Sequence, residues 1–136
     1  TGCSTEEIVN AYDNTIRATD RFLSDVIDLL KGQDRVASAM YYVSDHGESL
    51  GENGIYLHGT PMFMAPEYQY KVPMVVWISA AFRQGMGLAP DCLAGRQDGP
   101  VSHDELYSTV LGMMDIRSET RDPALDLMSG CEATPS

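Results

Sequence analysis

The first 44 residues combine a long helical pattern with a short apolar strand pattern, and this succession limits what the chain can fold into. Residues 4–31 begin with Ser-Thr-Glu-Glu, in which Ser4 and Glu7 can form a capping box, and Gly32 is a natural helix stop. Between these ends, apolar or small residues recur at helical spacing: Ile8, Tyr12, Ile16, Thr19, Leu23, Val26, Ile27 and Leu30. The pattern predicts one long helix whose apolar face is directed toward the core.

A strand pattern follows the helix after a short polar turn. Residues 36–44 read VASAMYYVS, a continuous run of apolar or small residues that is typical of a strand buried on both faces. A helix followed by a short turn and a buried strand indicates an α/β sheet. Functional groups in such folds belong at the carboxyl ends of strands, where Asp45 and His46 lie in this chain.

The remaining elements are few. The pattern predicts a second strand over residues 71–79 and a long irregular connection over residues 80–101. It predicts a second helix over residues 102–116, which opens with a capping box from Ser102 to Glu105. Two strands and two helices are too few for a closed doubly wound domain, whose sheet normally has five or more strands. Either the chain is a very small α/β domain or it is the later half of a larger one, and the second interpretation is preferred.

The charge of the chain excludes one class of partner. Twenty acidic residues against nine basic ones give a net charge of −11, so binding to nucleic acid would gain nothing from counterion release. No stretch approaches the ~20 apolar residues of a membrane span. The chain also begins without the basic start and apolar region of a signal peptide.

The loop of residues 43–59 carries the ligand-capable chemistry, with two histidines and four glycines in seventeen positions. Adjacent residues in a strand point to opposite faces, so Asp45 and His46 could share a metal only where the strand ends. Gly47 permits backbone angles that would bring both side chains inward. A carboxylate oxygen and an imidazole nitrogen suit zinc or manganese, although a complete site needs one or two further ligands.

Other interpretations of this loop are less consistent with its spacing. The consecutive residues Ser44, Asp45 and His46 cannot hydrogen-bond in series as a catalytic triad. The loop also lacks the alternating ligands of an EF-hand. A structural turn, in which Asp45 caps backbone amides and His46 is hydrogen-bonded, remains an alternative to a metal site.

The longer string SDHGESLGENGIYLHG, residues 44–59, resembles the signature of the phosphoethanolamine transferases. These are membrane-anchored enzymes of the alkaline phosphatase and sulfatase superfamily that modify lipid A in Gram-negative bacteria. Residues 3–27, 58–79 and 102–116 are similar to further segments of the same family, so the resemblance covers nearly the whole chain. It implies an α/β fold that is part of a sulfatase-like domain, with a mixed central sheet flanked by helices. Residues 1–136 would be the carboxyl-terminal part of a periplasmic catalytic domain whose upstream half and membrane helices are absent.

The resemblance also implies a site and a reaction. Asp45 and His46 match the family's ligands of a catalytic zinc, and His58 matches a histidine near the phosphoethanolamine group that binds its phosphate or assists proton transfer. The implied reaction moves phosphoethanolamine from phosphatidylethanolamine to lipid A through a covalent phospho-threonine. Neither Thr15 nor Thr60 matches the nucleophile's motif, so the nucleophile and a zinc-binding glutamate are expected upstream of this chain. The expected location is the periplasmic face of the inner membrane, contacted through the absent amino-terminal helices.

Three further residues of the loop and the last helix are interpreted as structural. Glu48 and Glu52 match the signature and are interpreted as loop residues that support the site, and His103 as a neighbour of a helix cap. A related hydrolase, such as a sulfatase or phosphodiesterase, is an alternative function, although such hydrolases usually depart from this pattern after Asp-His-Gly. A catalytically inert binding or structural fragment is the other alternative.

The three cysteines cannot be assigned from composition alone, which fits either buried thiols or one bridge with a leftover cysteine. The family faces the periplasm, an oxidising compartment, and its members carry disulfides. The resemblance therefore implies that Cys92 pairs with Cys131, and that Cys3 pairs with an upstream cysteine.

Overall fold

The computed structural model describes residues 2–33 and 35–133. Within them are three α-helices and four strands: α1 (Thr5–Lys31), β1 (Ala39–Val43), β2 (Ser49–Leu50), β3 (Tyr56–Leu57), β4 (Met74–Ile78), α2 (Ala80–Gly85) and α3 (Glu105–Met113). The chain forms two compact units, the first from residues 2–30 and 40–76 and the second from residues 31–33, 35–39 and 77–133. No helix in the described residues is both long enough and apolar enough to cross a membrane.

The capping box predicted for α1 is confirmed. The backbone amide of Ser4 donates to Glu7 Oε2 at 2.7 Å, and the Glu7 amide donates back to Ser4 Oγ at 3.3 Å. These hydrogen bonds from Ser4 hold the pKa of the Glu7 carboxyl below its ordinary value. The predicted core face is only partly confirmed, because no residue of α1 is buried. Seven members of the predicted stripe are half-buried, whereas Ile16 is 50% exposed.

Strands β1 and β4 pair with each other in a two-stranded sheet and run antiparallel. At one end the Ser44 amide donates to the Pro73 carbonyl at 3.3 Å, and at the other the Ser79 amide donates to the Ser38 carbonyl at 2.8 Å. Both strands lie within the predicted ranges. The burial on both faces predicted for residues 36–44 is wrong for this chain, since all five residues of β1, like those of β4, are half-buried. A sheet of only two strands has too few neighbours to cover its faces.

A short hairpin inside the glycine-rich loop was not predicted. Strand β2 pairs antiparallel with β3, with Ser49 opposite Leu57 and Leu50 opposite Tyr56. Between the strands Gly51 has φ 123° and Asn53 has φ 54°, which turns the chain back on itself. Because each strand has only two residues, the alternation that identifies longer strands in a sequence is missing.

The second unit contains more regular structure than the sequence indicated. Residues 80–101 were expected to be irregular, but they begin with α2, whose first turn is capped by Ser79 Oγ accepting from the Phe82 amide at 3.0 Å. Helix α3 lies within the predicted range of residues 102–116. The Ser102 amide and hydroxyl both donate to Glu105 Oε2 at 2.8 Å.

A disulfide and buried polar contacts hold α3 to the chain that follows it. Cys92 and Cys131 form a disulfide, with their Cα atoms 5.4 Å apart, which is the pairing that the family resemblance implies. The carboxylate of Asp126 is buried and accepts hydrogen bonds from Arg121 and from the Met128 amide. From α3, Thr109 Oγ1 accepts from the Leu127 amide at 3.0 Å. The second unit therefore owes its order to specific polar contacts and a covalent bridge as much as to apolar packing.

Candidate functional site

The turn after β1 packs directly against the backbone of a later segment of the first unit. The Gly47 amide donates to the Gln69 carbonyl at 3.0 Å. A β-carbon at position 47 would overlap the carbonyl oxygen of Tyr68 and lie 3.0 Å from its carbonyl carbon. Gly47 is not among the glycines with positive φ, so the conformational reason expected from the sequence is wrong. Glycine is required here because the two backbones approach closely.

The side chain of Gln69 ties three parts of the first unit together. It is buried, and its Nε2 donates to Ser49 Oγ at 2.9 Å and to Thr60 Oγ1 at 3.1 Å, while its Oε1 accepts from the Thr60 amide at 3.3 Å. Ser49 lies in β2 and Thr60 follows His58 by two residues. Gln69 therefore holds both ends of the hairpin in place, a role that the sequence analysis did not assign to it.

Asp45 and His46 lie side by side rather than on opposite faces of a continuing strand. His46 Nδ1 is 3.0 Å from the Gly47 carbonyl, which can only accept, so Nδ1 carries the proton in this hydrogen bond. This leaves Nε2 with a free electron pair, 3.7 Å from Asp45 Oδ2. In a tetrahedral site with bonds of ~2.0–2.1 Å, ligand atoms lie about 3.3–3.4 Å apart. A small movement of the Asp45 side chain, which is 88% exposed, would let both atoms bind one ion.

His58 is brought to the same place by the hairpin. Its ring lies against that of His46, with centroids 3.9 Å apart and planes inclined by 32°. Its Nδ1 is 2.7 Å from Glu48 Oε1, although the two residues are ten positions apart in the sequence. The other oxygen of Glu48, Oε2, is buried and has no hydrogen-bond partner among the described residues.

The three side chains of His46, Glu48 and His58 have the geometry of a potential metal site. Each offers one ligand atom, and these atoms all lie within 4.8 Å of one another. Two imidazole nitrogens and a carboxylate oxygen form a donor set that suits zinc. A buried carboxylate oxygen without a partner is costly, and a cation would satisfy it. The residues present therefore fit a metal ion.

This group differs from the set expected from the sequence. Asp45 is outside it, whereas Glu48, interpreted as a loop residue, belongs to it. The Asn53-Gly54 dipeptide, a frequent hairpin turn, is the sequence signal that could have placed Glu48 opposite His58. Glu52 has a structural role, since its Oε2 accepts from the Leu50 amide at 2.8 Å. His103 lies in the second unit, away in the sequence from this loop.

A pocket of about 290 Å³ opens beside the two histidines. It is lined by His46, His58, Gly59, Thr60, Met62, Ala65, Gln69 and Tyr70. Met62 belongs to an exposed turn of residues 62–64, Met-Phe-Met, in which Phe63 is the most exposed at 87%. The pocket thus offers imidazole nitrogens to the polar part of a ligand and apolar side chains to the apolar part of the same ligand.

Comparisons with known proteins agree on one family. The family model described as Sulfatase matches residues 1–116. Phosphoethanolamine transferase EptA of Salmonella typhimurium is 41% identical over 131 residues, which are 95% of this chain and 24% of that protein. The chain therefore spans about a quarter of the length of this curated relative.

Solved structures are similar over almost the whole chain. The soluble domain of lipooligosaccharide phosphoethanolamine transferase A from Neisseria meningitidis has a TM-score of 0.92 and 46% identity, covering 96% of this chain and 40% of that one. The C-terminal periplasmic domain of phosphoethanolamine transferase EptC from Campylobacter jejuni has a TM-score of 0.83 and 38% identity, covering 98% of this chain and 42% of that one.

Proposed function

Because this chain belongs to the sulfatase family, we propose that the protein carrying it is a metal-dependent transferase that moves phosphoethanolamine to lipid A. The proposal rests on one observation above all, the meeting of His46 and His58 at a pocket, with Asp45 beside His46 and Glu48 bonded to His58. The names of its relatives supply the transferred group, and the name of one of them, the Kdo(2)-lipid A phosphoethanolamine 7''-transferase of Escherichia coli, supplies lipid A as the acceptor.

We assign zinc to Asp45 and His46 rather than to the group of His46, Glu48 and His58, because Glu48 Oε1 and His58 Nδ1 are already bonded to each other at 2.7 Å. His46 presents Nε2 because its Nδ1 is engaged by the Gly47 carbonyl, and Asp45 Oδ2 lies 3.7 Å away. When bound, zinc supplies positive charge to phosphoryl oxygens and lowers the pKa of a coordinated hydroxyl. Further ligands, including a glutamate, are expected from outside this chain, as the family resemblance implies.

His58 is the residue that we assign to the phosphate of the substrate. Its Nδ1 is engaged by Glu48, so Nε2 is the ring atom left for a ligand, and His58 lines the pocket. An imidazole in this place can hydrogen-bond a phosphate oxygen or assist transfer of a proton to the leaving group. The ring of His58 also contacts the adjacent ring of His46, with the two centroids 3.9 Å apart.

The reaction that we propose has two steps. In the first, a threonine oxygen bonds to phosphorus as the bond from phosphorus to the glycerol oxygen of phosphatidylethanolamine breaks, and diacylglycerol leaves with the proton that the threonine hydroxyl gives up. In the second, a lipid A oxygen bonds to phosphorus as the bond from phosphorus to the threonine oxygen breaks, and the threonine hydroxyl regains a proton. Thr60 accepts a hydrogen bond from Gln69 and does not match the nucleophile's motif, so the nucleophile is assigned to a threonine outside this chain. We place the reaction at the periplasmic face of the inner membrane, with residues 1–136 as the carboxyl-terminal part of the catalytic domain.

The test compares two histidine variants in the complete protein. His58→Ala should keep the zinc content of the wild type but lower the rate of phosphoethanolamine transfer by ~10²–10⁴-fold, the usual contribution of an acid–base or phosphate contact. His46→Ala should lower the zinc content itself, because it removes a ligand. His103→Ala, which removes the imidazole of the second unit, serves as the matched control and should change neither quantity.

Three outcomes would contradict the proposal. Loss of zinc from His58→Ala to the same degree as from His46→Ala would make His58 a metal ligand. Release of phosphoethanolamine into water without transfer to lipid A would identify a hydrolase of the same family. No activity of the wild type on either lipid would remove the proposed reaction altogether.

A further inference from the structure

We propose that Glu48 is a positioning residue for His58: it keeps the proton on Nδ1 and holds the ring so that Nε2 is presented to the substrate's phosphate. This inference rests on the proposed function for its phosphate, but the contact between Glu48 and His58 stands independently of it. Sequence patterns gave Glu48 no such role.

The register of the hairpin brings the two side chains together. Ser49 lies opposite Leu57 in the β2–β3 pair, so the next position outward places Glu48 opposite His58. Residues directly opposite each other in an antiparallel pair project on the same face and interact. The resulting distance of 2.7 Å between Glu48 Oε1 and His58 Nδ1 is that of a charge-assisted hydrogen bond.

The chemistry of the pair determines which ring nitrogen carries the proton. An ionised carboxylate can only accept hydrogen bonds, so a bond of this length requires a hydrogen atom on Nδ1. A free imidazole exchanges its proton between the two nitrogens, whereas a carboxylate on Nδ1 selects one tautomer. The same division of roles occurs where carboxylates orient histidines in metal sites.

The neighbours of the pair hold its backbone in place. Ser49, next to Glu48, is buried and bonded by Gln69 at 2.9 Å. Leu57, next to His58, has a φ of 64°, a conformation that non-glycine residues seldom adopt outside sites where the surroundings impose it. The backbone next to Glu48 is therefore held by Gln69, and the backbone next to His58 has a specific conformation at Leu57.

A purely stabilising role does not account for a polar side chain at position 48. The side chain of Glu48 is only 24% exposed, and its Oε2 is buried without a partner among the described residues. An apolar residue at this position would avoid a buried oxygen without a partner. Orientation of His58 gives a hydrogen-bond acceptor at position 48 a reason to be present.

The experiment reads the tautomer and the kinetics separately. The complete protein is labelled with ¹⁵N-histidine, and the ring nitrogen signals of His58, assigned with His58→Ala, are recorded for the wild type, Glu48→Ala and Glu48→Gln. The wild type should show the Nδ1–H form, and Glu48→Ala a mixture of tautomers. Glu48→Gln should restore the Nδ1–H form, because an amide oxygen still accepts.

Transfer to lipid A and zinc content are measured on the same samples. Glu48→Ala should lower kcat about 10–100-fold with little change in KM and an unchanged zinc content, and Glu48→Gln should recover most of the rate. Glu52→Gln is the matched control, since Glu52 lies in the same loop but bonds the Leu50 amide, and it should behave as the wild type.

Each contrary result has its own meaning. An Nε2–H form of His58 in the wild type, or a tautomer that Glu48→Ala does not alter, would overturn the proposal. So would loss of zinc from both Glu48 variants, which would make Glu48 a metal ligand. If the wild type transfers nothing while the tautomer responds as expected, the proposed function fails and the contact between Glu48 and His58 is retained.

Discussion

Gly47 and Tyr68 lie so close together that a β-carbon at position 47 would overlap the Tyr68 carbonyl oxygen. The Gly47 amide is bonded to the neighbouring carbonyl of Gln69 at 3.0 Å, so neither backbone can withdraw without losing that bond. This contact fixes the turn in which Asp45 and His46 follow the end of β1. The glycine of the Asp-His-Gly sequence thus determines where the two potential ligands stand.

Gly47→Ala should therefore destabilise the protein by about 2–3 kcal/mol, the range expected when overpacking forces a backbone to move. Zinc content should fall with it, because Asp45 and His46 are displaced. The control is Gly85→Ala, a glycine with no atom within 4 Å of its β-carbon position and no positive φ. Thermal unfolding of both variants decides the matter, and equal midpoints would show that the loop accommodates the methyl group.

Replacing Gln69 with leucine should leave the buried hydroxyl of Ser49 without the donor that it has in the wild type. We expect a loss of about 1–3 kcal/mol in the free energy of unfolding, as for other buried groups deprived of a partner. Transfer activity should also fall, since Gln69 fastens both ends of the hairpin that carries His58. Gln84→Leu, at an exposed position of α2, is the control. A Gln69→Leu protein as stable and active as this control would refute the role.

Reduction of the Cys92–Cys131 disulfide should destabilise the second unit. The bridge joins residues 39 positions apart, which corresponds to about 3–4 kcal/mol in the chain-entropy estimate. A Cys92→Ser, Cys131→Ser double variant should unfold at a lower temperature than the wild type. Peptide mapping without reductant should recover residues 92 and 131 in one linked fragment. Recovery of both as free thiols would exclude the bridge.

The cap of α3 should make stability depend on pH in acid. Burial raises the pKa of Glu105, but hydrogen bonds from the Ser102 amide and hydroxyl outweigh it, so the pKa lies below its ordinary value of 4.5. A carboxyl whose folded pKa is lowered stabilises the fold above its unfolded pKa and loses this effect as pH falls through the folded value. Glu105→Gln should therefore lower the unfolding midpoint at pH 7 but much less at pH 3. A difference that does not shrink below pH 4.5 would contradict this assignment.

The comparisons confirm the α/β fold and the family resemblance expected from the sequence. Helix α1 and the strands β1 and β4 were predictable because each has a period or an apolar run long enough to be recognised. Helix α2 has six residues and ends at a glycine, too short for a clear period. Its existence depends on the Ser79 cap, which the sequence did not distinguish from the surrounding loop.

The site was predictable in part. The sequence indicates that Asp45 and His46 lie just after a strand, and the turn at Gly47 indicates that their side chains can lie close to each other. The approach of Glu48 to His58 depends on the register of the β2–β3 hairpin, in which each strand has only two residues. That register is set by the turn at Gly51 and Asn53 and by the hydrogen bond from the distant Gln69. Such a pairing is a property of the folded chain, and the Asn53-Gly54 dipeptide, which is a frequent hairpin turn, is the one local signal for it.

The hairpin has a consequence for how this loop can change during evolution. Adding or deleting one residue between Ser49 and Leu57 would shift the pairing by one position and turn either the glutamate or the histidine to the other face. Point substitutions at the exposed Tyr56 or Leu57 leave the pairing intact, so the loop tolerates changes of composition more readily than changes of length. A homologue with a loop one residue longer would need a second, compensating insertion to restore the contact between the residues equivalent to Glu48 and His58.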